Sequence, residues 1–255
     1  MSRVVAISNQ KGGVGKTTTA INLAASLAAL DRRVLLLDLD PQSNATSGMG
    51  FSRAKDGANA YDVLSGTPAD DAIRETAFPN LWLLPSGRDL VGAEIELVGQ
   101  PDREQRLRFA LEPVRDRFDF VLIDCPPSLS LLTVNALSAA DSVLIPIQTE
   151  YFALEGVSEL LETVDRVRDN FNPLLSVEGL VLTMYDERTN LGRQVTDDIR
   201  KHLGDKVYDT IIPRNVRLGE APSFGKPVLA YDIKSRGAEA YLALAREFLR
   251  KRGAA

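Results

Sequence analysis

A doubly wound α/β fold with a mostly parallel sheet is what this sequence predicts, on three observations. Apolar, β-branched runs recur and end in aspartate, as strands buried on both faces of a parallel sheet do. A glycine-rich segment separates the first of these runs from an Ala/Leu-rich stretch of good helix formers. Strand-like and helix-like stretches then alternate along 255 residues with no shift in composition, repeat or low-complexity linker, so residues 1–255 read as one domain. Hydrophobic content of 44% and charged content of 25% suit a globular protein with a substantial core.

The first strand is expected at Val4-Val5-Ala6-Ile7 and the first helix from Thr19 to Leu30. Between them lies Gln10-Lys11-Gly12-Gly13-Val14-Gly15-Lys16-Thr17-Thr18. A glycine-rich turn at a strand-to-helix junction lets successive N–H groups converge on one anion, and the helix N-terminus adds partial positive charge. Lys16 is placed to reach β/γ-phosphates, and the Thr17 hydroxyl to take a position on Mg²⁺. The common pattern G-x-x-x-x-G-K-[ST] is met only at Gly15-Lys16-Thr17, because Gln10 stands where its first glycine belongs. K-G-G-x-G-K-T, with a second lysine at Lys11, stands instead.

Arg33 to Asp38 is the second strand, and Pro41 stops it, leaving Asp38 and Asp40 at the C-terminal edge where open parallel sheets bind ligands. Ser43 to Lys55 reads as a mobile loop from its Ser, Gly, Asn and Thr content. A short helix is expected at Asn59–Leu64, a strand at Leu81–Leu84 with Trp82 packed rather than stacked on a base, and a charged helix at Asp102–Arg117 that Pro113 kinks or ends. Phe118 to Asp124 is an apolar strand whose terminal carboxylate can hold Mg²⁺ through water opposite Thr17. Cys125-Pro126-Pro127-Ser128 follows as a rigid loop, with Cys125 a small buried residue. Next come a strand at Ser142–Pro146, an amphipathic helix at Phe152–Asn170, a strand at Val177–Met184 and a helix at Asn190–Leu203. The last helix, Ala238–Lys251, places Tyr241, Leu242, Ala245, Phe248 and Leu249 on one face for core packing.

Composition excludes several classes. No stretch approaches the roughly 18 consecutive apolar residues of a membrane span. The first strand is expected by about residue 3, leaving no room for a signal peptide. The single Cys125 rules out an internal disulfide and fits a reducing cytosol. His202 reads as a solvated or helix-capping side chain, and with no second histidine or cysteine cluster there is no zinc site. The net charge of −5 is unlike that of a protein that coats nucleic acid, yet residues 176–255 carry 14 Lys/Arg against 11 Asp/Glu while the rest carries 16 against 24. Contact with DNA would need a local patch, completed on dimerisation.

The K-G-G-x-G-K-T segment resembles the deviant Walker A motif of the ParA/MinD group of P-loop ATPases. Asp38-Leu39-Asp40-Pro41-Gln42 resembles the group's switch I, and Asp124-Cys125-Pro126-Pro127 its switch II. Ile211-Ile212-Pro213-Arg214-Asn215-Val216-Arg217-Leu218-Gly219-Glu220-Ala221-Pro222-Ser223 is similar to a segment of the ParA/Soj chromosome-partitioning proteins, and the likeness covers nearly the whole chain. The resemblance implies a P-loop NTPase that slowly hydrolyses ATP to ADP and phosphate with Mg²⁺. Lys11, Gly12, Gly13, Val14, Gly15, Lys16, Thr17 and Thr18 then hold the phosphates, Pro213 and Asn215 line the adenine pocket, and Thr17, Asp40 and Asp124 surround the metal. Asp40 also helps place the attacking water, and Lys11 crosses to the partner's nucleotide in an ATP-bound homodimer.

By the same resemblance, that dimer binds double-stranded DNA without sequence preference through Arg188 and Arg217, and a ParB/Spo0J-type activator stimulates hydrolysis. The protein would be cytoplasmic and nucleoid-associated, acting in chromosome or plasmid segregation. The lone cysteine argues against an iron–sulfur reductase of the same broad group, which would need two ligand cysteines per subunit. Plasmid relatives with an added N-terminal helix-turn-helix are less similar. A MinD-like or cargo-positioning ATPase, acting on a membrane or a protein cluster, is the alternative; the membrane form needs an anchoring segment beyond the last helix. A P-loop ligase related to dethiobiotin synthetase would need an acceptor pocket and would not usually carry Lys11 together with the Ile212-Pro213-Arg214-Asn215 segment.

Overall fold

In the computed structural model, residues 2–52, 57–150, 153–251 and 253 are described. The strands are β1 (Arg3–Ile7), β2 (Val34–Asp38), β3 (Arg74–Glu75), β4 (Leu81–Leu84), β5 (Phe120–Asp124), β6 (Ser142–Gln148) and β7 (Ser176–Thr183). The helices are α1 (Lys16–Ala29), α2 (Asn44–Gly48), α3 (Ala60–Leu64), α4 (Ala69–Ala72), α5 (Leu90–Glu96), α6 (Arg106–Leu111), α7 (Leu131–Ala139), α8 (Ala153–Asn170), α9 (Asn190–Leu203), α10 (Val216–Glu220), α11 (Val228–Tyr231) and α12 (Arg236–Lys251).

The sheet order is β3-β4-β2-β5-β1-β6-β7, parallel throughout except for β3, which runs against β4. The continuous apolar runs are split between two cores by the two-residue period of the strand. Val4, Ala6, Leu35, Leu37, Val121 and Ile123 face the layer that includes Leu107 of α6, Leu132 of α7 and Leu160 of α8. Val5, Ile7, Leu36 and Leu122 face α1 and α12. Those two helices are tied together by a hydroxyl pair, Thr19 Oγ1 to Tyr241 Oη at 3.1 Å, and Phe248 of α12 packs edge-on against Phe120 at 5.4 Å. Register pairs Ile7 with Asp124 and Asp38 with Asp124, so the first loop and both acidic strand ends emerge side by side at the carboxyl edge. Pro146 is tolerated inside β6 because β1 pairs only as far as Leu144.

Several expectations are corrected. Helix α1 begins at Lys16 rather than Thr19, immediately after Gly15. The expected loop at Ser43–Lys55 contains α2, whose Thr46 is held by Asp38 from the strand before it, a tertiary anchor that composition does not register; Lys55 lies outside the described residues. The charged helix is only α6, followed by a 3₁₀ turn at Arg115–Arg117, since Pro113 breaks it. Helix α7, absent from the expectations, is buried almost throughout and so lacks an amphipathic stripe. Strand β5 is shorter than expected by two residues, beginning at Phe120. Phe152, the expected start of α8, is outside the described residues. In α12 it is Leu244 rather than Leu242 that reaches the core. Trp82 packs edge-on against Phe118 at 5.5 Å, and Cys125 is buried, as expected.

Candidate nucleotide-binding site

The turn from β1 into α1 is built from backbone that only its glycines adopt easily. Gly13 (φ 76°) and Gly15 (φ 88°) are both in the left-handed region, and Gly15 is the residue from which α1 starts. The turn is pinned from three sides. Asn9 accepts the N–H of Lys11 at 3.0 Å and donates to the Pro146 carbonyl at 2.7 Å. The Thr183 hydroxyl, at the end of β7, donates to the Val14 carbonyl at 2.8 Å. Lys16, only 7% exposed as a residue, donates from Nζ to the Lys11 carbonyl at 3.1 Å. Burial pushes its pKa down against the opposing pull of Asp124, Cys125 and Asp40, an ammonium poorly paid in charge and ready for an anion.

Below the turn, Asp124 is fully buried and neither carboxylate oxygen has a well-aligned hydrogen-bond partner. Burial, then the neighbouring Asp38, raises its pKa well above the usual carboxylate range, with the Thr17 hydroxyl and Lys16 pulling the other way. A desolvated, unsatisfied carboxylate beside a threonine hydroxyl is the donor set a hard cation takes. Among the described residues there is no cluster of three or more His, Cys, Asp or Glu arranged as a metal cage. Such a donor set fits Mg²⁺, which keeps water and phosphate oxygens in its shell, better than a cation needing an all-protein cage.

Asp38 is spent on structure. Its carboxylate accepts from the N–H and hydroxyl of Thr46, each at 2.7 Å, and from the Asp40 N–H at 3.2 Å. Burial raises its pKa to about 6. Asp40 is held from both ends: its carboxylate accepts the Gln42 N–H at 2.9 Å, and its carbonyl accepts the Ser86 hydroxyl at 2.7 Å. The second lysine behaves differently from the first. Lys11 Nζ sits on Glu150 at 3.1 Å, with both side chains partly exposed.

Beside the turn is a cavity of about 210 Å³ lined by Gly15, Thr18, Met184, Pro213, Asn215 and Tyr241 among others. Its apolar floor and the Asn215 amide suit a planar heterocycle. The Asn215 oxygen already accepts the Arg217 N–H at 3.0 Å as the cap of α10, so mainly its NH₂ is left for a ligand. Arg188, in an exposed turn, and Arg217, on the exposed face of the short helix α10, were expected on a DNA face, and both are paired. Arg188 grips Asp186 through two bonds of 2.7 and 2.8 Å and holds that carboxyl well below its usual range. Arg217 bonds Glu220 at 2.7 Å and lies 3.3 Å from Asp232.

Sequence reasoning missed Asn9, Thr183, Ser86, Glu150 and Tyr241. Each acts through a contact distant in the chain, and only the position of Asn9 next to the glycine-rich segment gave any local signal.

The sheet order, the left-handed glycines and the buried acid at the end of β5 define a P-loop nucleotide-binding protein. A family model described as an AAA domain matches residues 2–177. Over 97% of its length the chain is 57% identical to chromosome partitioning protein ParA of Caulobacter vibrioides, covering 94% of that protein. It is 56% identical to the sporulation initiation inhibitor protein Soj of Bacillus subtilis, with 97% and 98% of the two chains covered. The chain belongs to the ParA/Soj family of chromosome-partitioning ATPases. Among solved structures, a Mycobacterium smegmatis protein described as cobyrinic acid a,c-diamide synthase, with bound ADP and magnesium, superposes with a TM-score of 0.87 at 38% identity, over 99% of this chain and 96% of that one. The cell division ATPase MinD of Pyrococcus furiosus does so at 0.80 and 28%, over 98% and 100%.

Proposed function

We propose that this chain is a partition ATPase that dimerises around ATP, binds duplex DNA in that state, and is released by hydrolysis. The observation that carries the proposal is the divergence of the two lysines. Lys16 is buried under its own phosphate turn, while Lys11 is half exposed with its amine on Glu150, in a surface pair that a nucleotide held by another copy can displace at little cost. Solved relatives with ADP or an ATP analogue and magnesium support the ligand assignment.

Phosphoryl transfer asks a protein chiefly to place charge. The N–H groups of Gly12, Gly13, Val14, Gly15, Lys16, Thr17 and Thr18 cradle the phosphates, and Lys16 offsets the β/γ charge, an interaction strengthened by its burial. Thr17, Asp40 and Asp124 would hold Mg²⁺, which when bound neutralises charge on the β- and γ-phosphates. Asp40, fixed by Gln42 and Ser86, orients the attacking water. Pro213 and Asn215 flank the adenine. A site that needs Lys11 from the partner turns over slowly alone, so ATP joins the dimer and its loss releases it. Arg188 and Arg217, each presented twice, make the sequence-independent DNA face, and a ParB/Spo0J-type protein stimulates hydrolysis. The setting is a cytoplasmic, nucleoid-associated one without a membrane step; among the described residues no helix is long and apolar enough to cross a membrane.

The test is sizing chromatography with and without ATP, on the parent and on Lys11→Ala, paired with calorimetric ATP titration. The parent should become dimeric with ATP, and Lys11→Ala should bind ATP yet stay monomeric. A variant that dimerises like the parent makes Lys11 an ordinary loop lysine and removes the shared site.

A further inference from the structure

Next to the adenine cavity lies a second, separate pocket of about 310 Å³, lined by Tyr185, Asp186, Glu187, Arg188, Arg214 and Arg236 among others. The wall between the two is one bridge of chain: Tyr185 pairs with Pro213, and the Arg214 N–H donates to the Tyr185 carbonyl at 2.9 Å. Three guanidiniums and two carboxylates share the pocket. Asp186 is taken up by Arg188, and Glu187 makes a long, exposed pair with Arg236 at 3.4 Å. Among the described residues Arg214 has no carboxylate within ion-pair distance, although it lies near enough to Asp186 to help lower that acid. Arg236 is also the first residue of the 16-residue α12, whose N-terminus adds partial positive charge.

We propose that this pocket is a phosphate subsite of the DNA face, taking a backbone phosphodiester of duplex DNA between Arg214 and Arg236. The inference rests on the DNA-binding reading above and adds residues that reading does not contain. Guanidinium forks match the paired oxygens of a phosphodiester, and an arginine held only by a long exposed ion pair gives it up at little cost. Arg188 lines the same pocket, which makes the subsite continuous with the face already proposed. Its shared wall with the adenine cavity puts a DNA phosphate and the nucleotide base on opposite sides of Pro213 and Arg214.

The carboxylate Glu187 gives the test its edge, because it competes with phosphate for Arg236. With ATP present, duplex affinity is measured over a salt series for the parent, Arg236→Ala, Glu187→Gln, and, as a control, Arg33→Ala at the amino end of β2. Arg236→Ala should flatten the log affinity against log salt slope by about one unit for each copy touching phosphate, so that its deficit shrinks by about threefold per contact between 50 and 200 mM salt. Glu187→Gln should bind duplex about two- to fivefold more tightly, an effect that a merely structural role would not produce. Arg33→Ala should match the parent. Inorganic phosphate, titrated without DNA, should bind only weakly.

A parent that binds no duplex overturns the DNA reading and the pocket together. A parent that binds, with an unaltered slope in Arg236→Ala or no gain in Glu187→Gln, overturns the pocket alone. Tight, Arg236-dependent binding of inorganic phosphate reassigns it to a free anion.

Discussion

Glu247 sits in α12 with its carboxylate turned inward, 4% exposed, accepting the N–H of Asp209 on one oxygen and of Thr210 on the other, both at 2.8 Å. That grip fixes the segment running into Ile212 and Pro213, which wall the cavity beside the glycine-rich turn, and the same helix supplies Tyr241 to that cavity. Burial would raise its pKa, but the bonds from Thr210 and Asp209 outweigh burial and hold it below the usual glutamate value. In Glu247→Gln one oxygen still accepts, while an NH₂ faces the other, partly buried N–H. One charge-assisted bond is lost and one donor is left unmet, costing about 2–3 kcal/mol. For a chain of this length each kcal/mol moves Tm by roughly 2–4 °C, so the expected drop is about 5–10 °C.

The sign with pH follows from the depressed value. The stabilisation is fully present above the unfolded glutamate value near 4.5 and is lost as pH falls through the lower folded value, so the gap between parent and variant should close in acid. Differential scanning calorimetry at neutral and acid pH, with ATP titration at neutral pH, measures both, and ATP affinity should fall as the cavity wall loosens. An unchanged melting point, or a gap that widens in acid, refutes the argument.

Three further outcomes are expected. Lys16→Ala should abolish productive ATP binding by removing the cation under the turn, and affinity within about twofold of the parent by calorimetry would contradict the cradle assignment. Asp40→Ala should leave ATP-dependent dimerisation intact and slow phosphate release; a variant that stays monomeric yet hydrolyses at the parental rate contradicts its role. Thr183→Val keeps the shape but strands the buried Val14 carbonyl, so it should cost about 1–3 kcal/mol in urea unfolding and weaken ATP binding; a neutral result would mean the turn needs no support from β7.

The sequence by itself determined the strand, glycine-rich turn and helix around Lys16, the aspartates closing β2 and β5, and the parallel α/β class. These are local: the period and apolarity of a strand, the dihedral freedom of glycine and the charge at a strand end are written within a few residues. Tertiary structure alone decided the rest. A composition-based loop became α2 because Asp38 anchors Thr46, and α7 escaped notice because burial all round erases the amphipathic stripe. The pinning of the turn by Asn9 and Thr183 spans 137 and 169 residues, distances at which no local pattern carries information. The two lysines of one motif differ for the same reason. Lys16 is covered by the acids of strands it does not adjoin in sequence, while Lys11 finds Glu150 two residues beyond the end of β6, and only the order of strands in the sheet puts those ends beside one turn.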